Sequence, residues 1–168
     1  QLSPQEEHML TKAFAFLVKE FLAQPQSCVH RDYQSRNLMW LKQQAIGVLD
    51  FQDAVRGPVT YDALSLLRDC YIDWPQQQVH HWVTECFERT RENKLIDGVS
   101  RDQFQRWFDL ATVQRHLKNL GIFTRLKHSY GKPHYLEHLP RTLNYIVQVS
   151  EHYPELKDLR EFLLQQTL

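Results

Sequence analysis

The hydrophobic period of this chain breaks at Pro25, and that break constrains the fold more than any other feature. Before it, Leu10, Ala13, Phe14, Leu17, Phe21 and Leu22 recur at helical spacing. Ser3-Pro4-Gln5-Glu6 has the layout of a helix start. The Ser3 hydroxyl caps, Pro4 suits the first helical position, and Glu6 closes a capping box. The spacing predicts a helix over 4–23. Beyond Pro25, Cys28-Val29, Asn37–Leu41 and Ala45–Leu49 are apolar runs too short for helices. Lys42-Gln43-Gln44 separates the last two, which predicts a small β-hairpin around a polar turn, without the Asn-Gly signal of a tight one.

The helical period returns from Val59. Helices are predicted over 59–71, 76–92, 101–120 and about 138–166, punctuated by Pro75, Asp97-Gly98, Gly131-Lys132-Pro133 and Pro154. Leu110, Val113, Leu117 and Leu120 lie about one turn apart and mark a long amphipathic helix. The fold expected is mainly α with one small β-hairpin near its start.

Composition narrows the function. Twenty Lys+Arg against twenty Asp+Glu give zero net charge, which argues against a general nucleic-acid binder. An apolar share of 42% argues against disorder. A chain of 168 residues buries roughly two-thirds of its unfolded surface, enough for a real core. No apolar run approaches the length of a membrane span, and the first residues lack a signal-peptide layout. Three cysteines without CxxC spacing argue against a disulfide framework and for a reducing cytoplasm. Neither GxGxxG nor GxxxxGK[ST] occurs, so the chain brings no glycine-rich phosphate loop.

The stretch His30-Arg31-Asp32-Tyr33-Gln34-Ser35-Arg36-Asn37, followed by Asp50-Phe51-Gln52-Asp53, carries the chemistry. Three oxygen-bearing side chains bracket a short strand pair, a layout suited to phosphoryl transfer from a magnesium nucleotide. Such catalysis is mostly positioning and charge neutralisation. Magnesium takes hard oxygen ligands, which the Asp50 carboxylate and the Asn37 amide oxygen supply. Asp32 is then the group that accepts a hydrogen bond from the acceptor hydroxyl.

These residues resemble the catalytic loop and metal motif of protein-kinase-like phosphotransferases, His-Arg-Asp, four residues and Asn, then Asp-Phe-Gly. Here the second motif reads Asp50-Phe51-Gln52-Asp53, without the glycine, and no Ala-Pro-Glu follows. Both departures point to the aminoglycoside phosphotransferase and choline kinase branch. Gly57-Pro58-Val59-Thr60-Tyr61-Asp62 resembles that branch's loop into a helix. The resemblance implies that Asp62 braces the catalytic loop through backbone hydrogen bonds; His30 reads as a structural loop histidine rather than a proton carrier. VHRDYQSRNLMW, GVLDFQDAVRGPVTYDALSLLRDCY and LATVQRHLKNLGIFTRL are similar to bacterial anomeric kinases of N-acetylmuramate and N-acetylglucosamine, which serve cell-wall recycling.

The resemblance implies ATP as co-substrate, Mg2+ as cofactor and a small sugar as acceptor. The chain matches only a C-terminal lobe, with catalytic loop and metal motif at 28–53 and a helical substrate-side subdomain at 59–168. The N-terminal nucleotide lobe has no match, which makes it the implied partner and makes this piece alone inactive or weak. Asp53 and Arg115 are candidate substrate contacts. Asp53 also reads as an aid to the metal, and at least as well as a solvated or capping carboxylate. Arg115, with Lys118, Arg125 and Lys127, reads either as a solvated helix face or as a grip on the lactyl carboxylate of N-acetylmuramate. Trp107, Phe108 and Phe123 flank that region, as core or as sugar-stacking rings. The alternatives are an aminoglycoside or other small-alcohol kinase, and a non-catalytic kinase-like scaffold. A zinc site among the histidines lacks HExxH spacing.

Overall fold

The computed structural model describes residues 2–42 and 44–165. In chain order they form α1 (Pro4–Leu22), β1 (Gln26–Val29), β2 (Leu38–Trp40), β3 (Ile46–Val48), β4 (Val55–Pro58), α2 (Tyr61–Leu67), α3 (Gln76–Glu92), α4 (Arg101–Tyr130), α5 (Leu139–Ser150) and α6 (Lys157–Gln165). The chain is mainly helical with small antiparallel sheets, the class its sequence predicts. Two compact units are present, one from residues 23–108 and one from residues 1–22 with 109–168. No described helix is long and apolar enough to cross a membrane.

In the second of these units, α1 begins with the expected capping box. The Ser3 N–H donates to a Glu6 carboxylate oxygen at 2.6 Å, and the Glu6 N–H donates to Ser3 Oγ at 3.3 Å. The backbone bond from Ser3 holds the Glu6 carboxyl below its ordinary pKa. Ala13 and Leu17 of α1 pack with Leu110, Val113, Ile146 and Leu159 into one buried apolar cluster. This α1 ends at Leu22, one residue before the predicted end.

Helix α4 runs ten residues past its predicted end at 120. Gly121 does not break it, because the apolar stripe continues through buried Phe123. The helix stops where Gly131 enters the left-handed region at φ 61° and Pro133 follows. The predicted C-terminal helix is two, α5 and α6, separated by a 3-10 turn at Pro154–Leu156. Proline cannot continue the helical bonding and forces that break. The predicted end at 166 lies outside the described residues.

The other unit holds two sheets where one hairpin was expected. The predicted hairpin is β2–β3, pairing Leu38 with Val48 and Trp40 with Ile46. Gln43, the middle of its turn, lies outside the described residues. The unexpected sheet pairs β1 with β4, setting Gln26 opposite Pro58 and Val29 opposite Val55. Gly57 is required there. A Cβ on it would stand 2.5 Å from a Val29 methyl, closer than two carbons pack. Gly57-Pro58 reads as loop in the sequence, which hid the strand.

Helix α2 is shorter than predicted, ending at Leu67 rather than 71. Arg68 leaves helical geometry at φ −120° and ψ 45°. Buried Gln24 ties this unit internally. It accepts the Thr60 hydroxyl at 2.7 Å and donates to the Trp107 carbonyl at 3.4 Å. Cys70, expected inside a helix, lies just beyond α2 and is buried. Cys86 is on α3, and desolvation raises its thiol pKa.

Candidate active site

Strand β1 delivers the chain into the loop at 30–37. Arg31 has φ 75°, a left-handed conformation uncommon outside glycine. The Asp62 carboxylate, in the first turn of α2, holds that conformation. One of its oxygens accepts the His30 N–H at 2.6 Å and the other accepts the Arg31 N–H at 3.1 Å. Bonds from backbone N–H to an ionised carboxylate are among the stronger hydrogen bonds. The Arg31 guanidinium donates to the Asp53 carbonyl at 3.4 Å, so that contact uses the Asp53 backbone rather than its carboxylate.

The loop is also stitched to the strand ahead of Asp50. His30 Nε2 donates to the Leu49 carbonyl at 2.8 Å, which requires the proton on that nitrogen because a carbonyl only accepts. The Leu49 N–H donates to the Asn37 carbonyl at 2.9 Å. Asn37 Nδ2 donates to the Asp32 carbonyl at 2.9 Å. His30, Asp32, Asn37 and Leu49 therefore belong to one bonded network, and Asp50 is the next residue along the chain. Asp50 is itself left-handed, at φ 64° and ψ 36°. One of its carboxylate oxygens accepts Gln52 Nε2 at 2.6 Å.

This donor set fits magnesium. The Asn37 amide donates through its NH2 to the loop, which leaves its oxygen as the group's acceptor. Asp50 keeps a second carboxylate oxygen beyond the one that accepts from Gln52. One carboxylate and one amide oxygen match an ion that keeps waters and takes its remaining ligands from phosphates.

Arg115 belongs to the other unit. It is 3% exposed, so the solvated-face reading does not hold for it. With Thr112, His116 and Asn119, at one-turn spacing, it forms a buried polar stripe on α4. Lys118, Arg125 and Lys127 are exposed. Trp107, Phe108 and Phe123 are buried as core residues.

One residue of the site was missed from sequence. Asp69, just past α2, is 1% exposed, and its carboxylate accepts the Ser35 N–H at 2.8 Å and the Tyr71 N–H at 2.9 Å. Its only sequence signal is the charged pair Arg68-Asp69 after an apolar helical stripe, which the helix prediction over 59–71 absorbed.

A profile of the phosphotransferase enzyme family matches residues 3–95, more than half of the chain and all of the network just described. The chain belongs to that family. Among its relatives, this chain is 42% identical over 165 residues to an N-acetylmuramate/N-acetylglucosamine kinase of Neisseria meningitidis, covering 98% of this chain and 49% of the relative. It is 44% identical over 149 residues to the kinase of the same name from Pseudomonas putida, covering 89% and 44%. With that from Pseudomonas aeruginosa it shares 44% identity over 147 residues, covering 88% and 43%. The chain thus spans about half the length of the relatives it matches.

Proposed function

We propose that the intact protein is an ATP-dependent kinase that phosphorylates the anomeric hydroxyl of N-acetylmuramate or N-acetylglucosamine. The observation that carries this reading is the network joining His30, Asp32, Asn37 and Leu49 under the Asp62 carboxylate. The activity for which the relatives are named supports the acceptor class. This chain is then the C-terminal lobe, residues 1–168, and the remaining length of its relatives corresponds to a nucleotide lobe. Its three cysteines, without CxxC spacing, support a cytoplasmic setting.

In this reading Asp32 is the base. Its carboxylate accepts the hydroxyl proton as the sugar oxygen bonds to the γ-phosphorus. The bond from that phosphorus to the β–γ bridging oxygen breaks, and ADP leaves with the electron pair. An anomeric hydroxyl is more acidic than an ordinary alcohol, so a carboxylate is a sufficient base. Asn37 and Asp50 hold Mg2+, which when bound neutralises charge on the phosphates. His30 and Asp62 fix the loop that aims Asp32. Asp53 remains a proposed sugar contact.

Phosphorus NMR of the intact protein with Mg-ATP and N-acetylmuramate tests the reading. The expected product is an anomeric sugar phosphate, formed about 100-fold or more slowly by Asp32→Asn. Transfer only to other alcohols would discard the sugar assignment. No transfer to a broad acceptor panel would favour a scaffold.

A further inference from the structure

We propose that Asp69 is a positioning residue for the Asn37 amide, a second clamp that sets metal affinity as Asp62 sets the aim of Asp32. This rests on the reading of Asn37 as a magnesium ligand. The loop at 30–37 is gripped by two carboxylates, one at each end of α2. Asp62 holds the His30–Arg31 end. Asp69 holds the other end at Ser35, the first residue of a 3-10 turn whose last residue is Asn37. Within the turn, the Asn37 N–H donates to the Gln34 carbonyl and the Leu38 N–H to the Ser35 carbonyl. Displacing Ser35 therefore displaces Asn37.

Three features make Asp69 a rigid anchor. It is buried, where an ionic hydrogen bond is worth more than in water. Its other oxygen accepts the Tyr71 N–H, which fixes the rotation of the carboxylate. The Arg36 guanidinium lies 3.8 Å over the Tyr71 ring, so the turn is held to the same segment at a second point. Arg68 Nη1 donates to Gln76 at 2.8 Å and the Trp74 indole N–H to the Leu66 carbonyl at 3.3 Å, which fasten that segment to α3 and α2.

The test uses the full-length protein and two variants that cut one bond from opposite sides. Asp69→Asn exchanges a carboxylate for an amide with one acceptor fewer. Ser35→Pro deletes the donor. Gln34 is extended at φ −131° and ψ 165°, as a residue before proline must be, and the first position of a turn accepts proline. Metal affinity is read from the free Mn2+ signal in an EPR titration with ADP present. In parallel, half-saturating Mg2+ is read from turnover. Each variant should weaken metal binding about 10-fold. The double variant should be no weaker than the worse single one. Turnover at saturating Mg2+ should fall less than in Asp62→Ala. A lower melting temperature with unchanged Mn2+ affinity in both variants would overturn the proposal. If Asp69→Asn does not fold, Ser35→Pro decides alone. Wild-type protein that binds no Mn2+ with ADP would instead sink the kinase reading, and this one with it.

Discussion

The apolar cluster around Ile146 and the loop at 30–37 are held by different physics. The cluster is dry and redundant. Ile146, Val113 and Leu156 are fully buried, and each loses only part of its contacts when one neighbour changes. None of residues 30–37 is fully buried. The loop's course is set by two carboxylates, one imidazole and one amide, each bonded to a specific partner. A packed core spreads its stabilisation across many weak contacts. A polar loop concentrates it, so single-atom changes there alter geometry before they alter folding.

That contrast can be broken at either end. The largest stability effect belongs to the cluster. Ile146→Ala should cost about 2–5 kcal/mol in urea unfolding and leave metal affinity of the folded protein unchanged. A site that loosened with it would show that the core and the loop are not independent. Next comes Asp62→Ala, which removes one part-buried charge-assisted bond worth about 1.5–3 kcal/mol and one exposed bond that adds little. Its turnover should fall further than that of Ile146→Ala, although its stability falls less. The smallest effect lies at the start of α1. Ser3→Ala should cost about 1 kcal/mol. The Glu6 carboxyl is held below its ordinary pKa, so its contribution is present above the ordinary glutamate range. It is lost as pH falls through the depressed value. The stability gap between wild type and Glu6→Gln should therefore close on acidification, and a gap that widened would refute the capping role.

Sequence legibility followed the same division. Elements governed by period and punctuation were readable, from the capping box at Ser3 and Glu6 to the start and end of α3 at Gln76 and Glu92. The loop motif was readable because its chemistry demands particular residue types at fixed spacing. Long-range pairing was not. Nothing local to Val55–Pro58 announces that it lies against Gln26–Val29, because the reason for Gly57 is a methyl group twenty-eight positions away. Asp69 escaped for a related cause. A carboxylate that satisfies backbone N–H groups leaves no periodic trace, and its partner at Ser35 is distant in sequence.

Arg31 and Asp50 carry one more consequence, for engineering. Both hold left-handed backbone conformations that cost a residue with a Cβ about 1–2 kcal/mol. Glycine at either position would relieve that cost, so a selection scored on thermal tolerance alone would tend to enrich it there. At position 50 the exchange deletes a carboxylate outright, and at position 31 it frees the backbone that Asp62 clamps. Laboratory evolution of this protein therefore needs a turnover screen alongside the heat challenge, because the two pressures pull these residues in opposite directions.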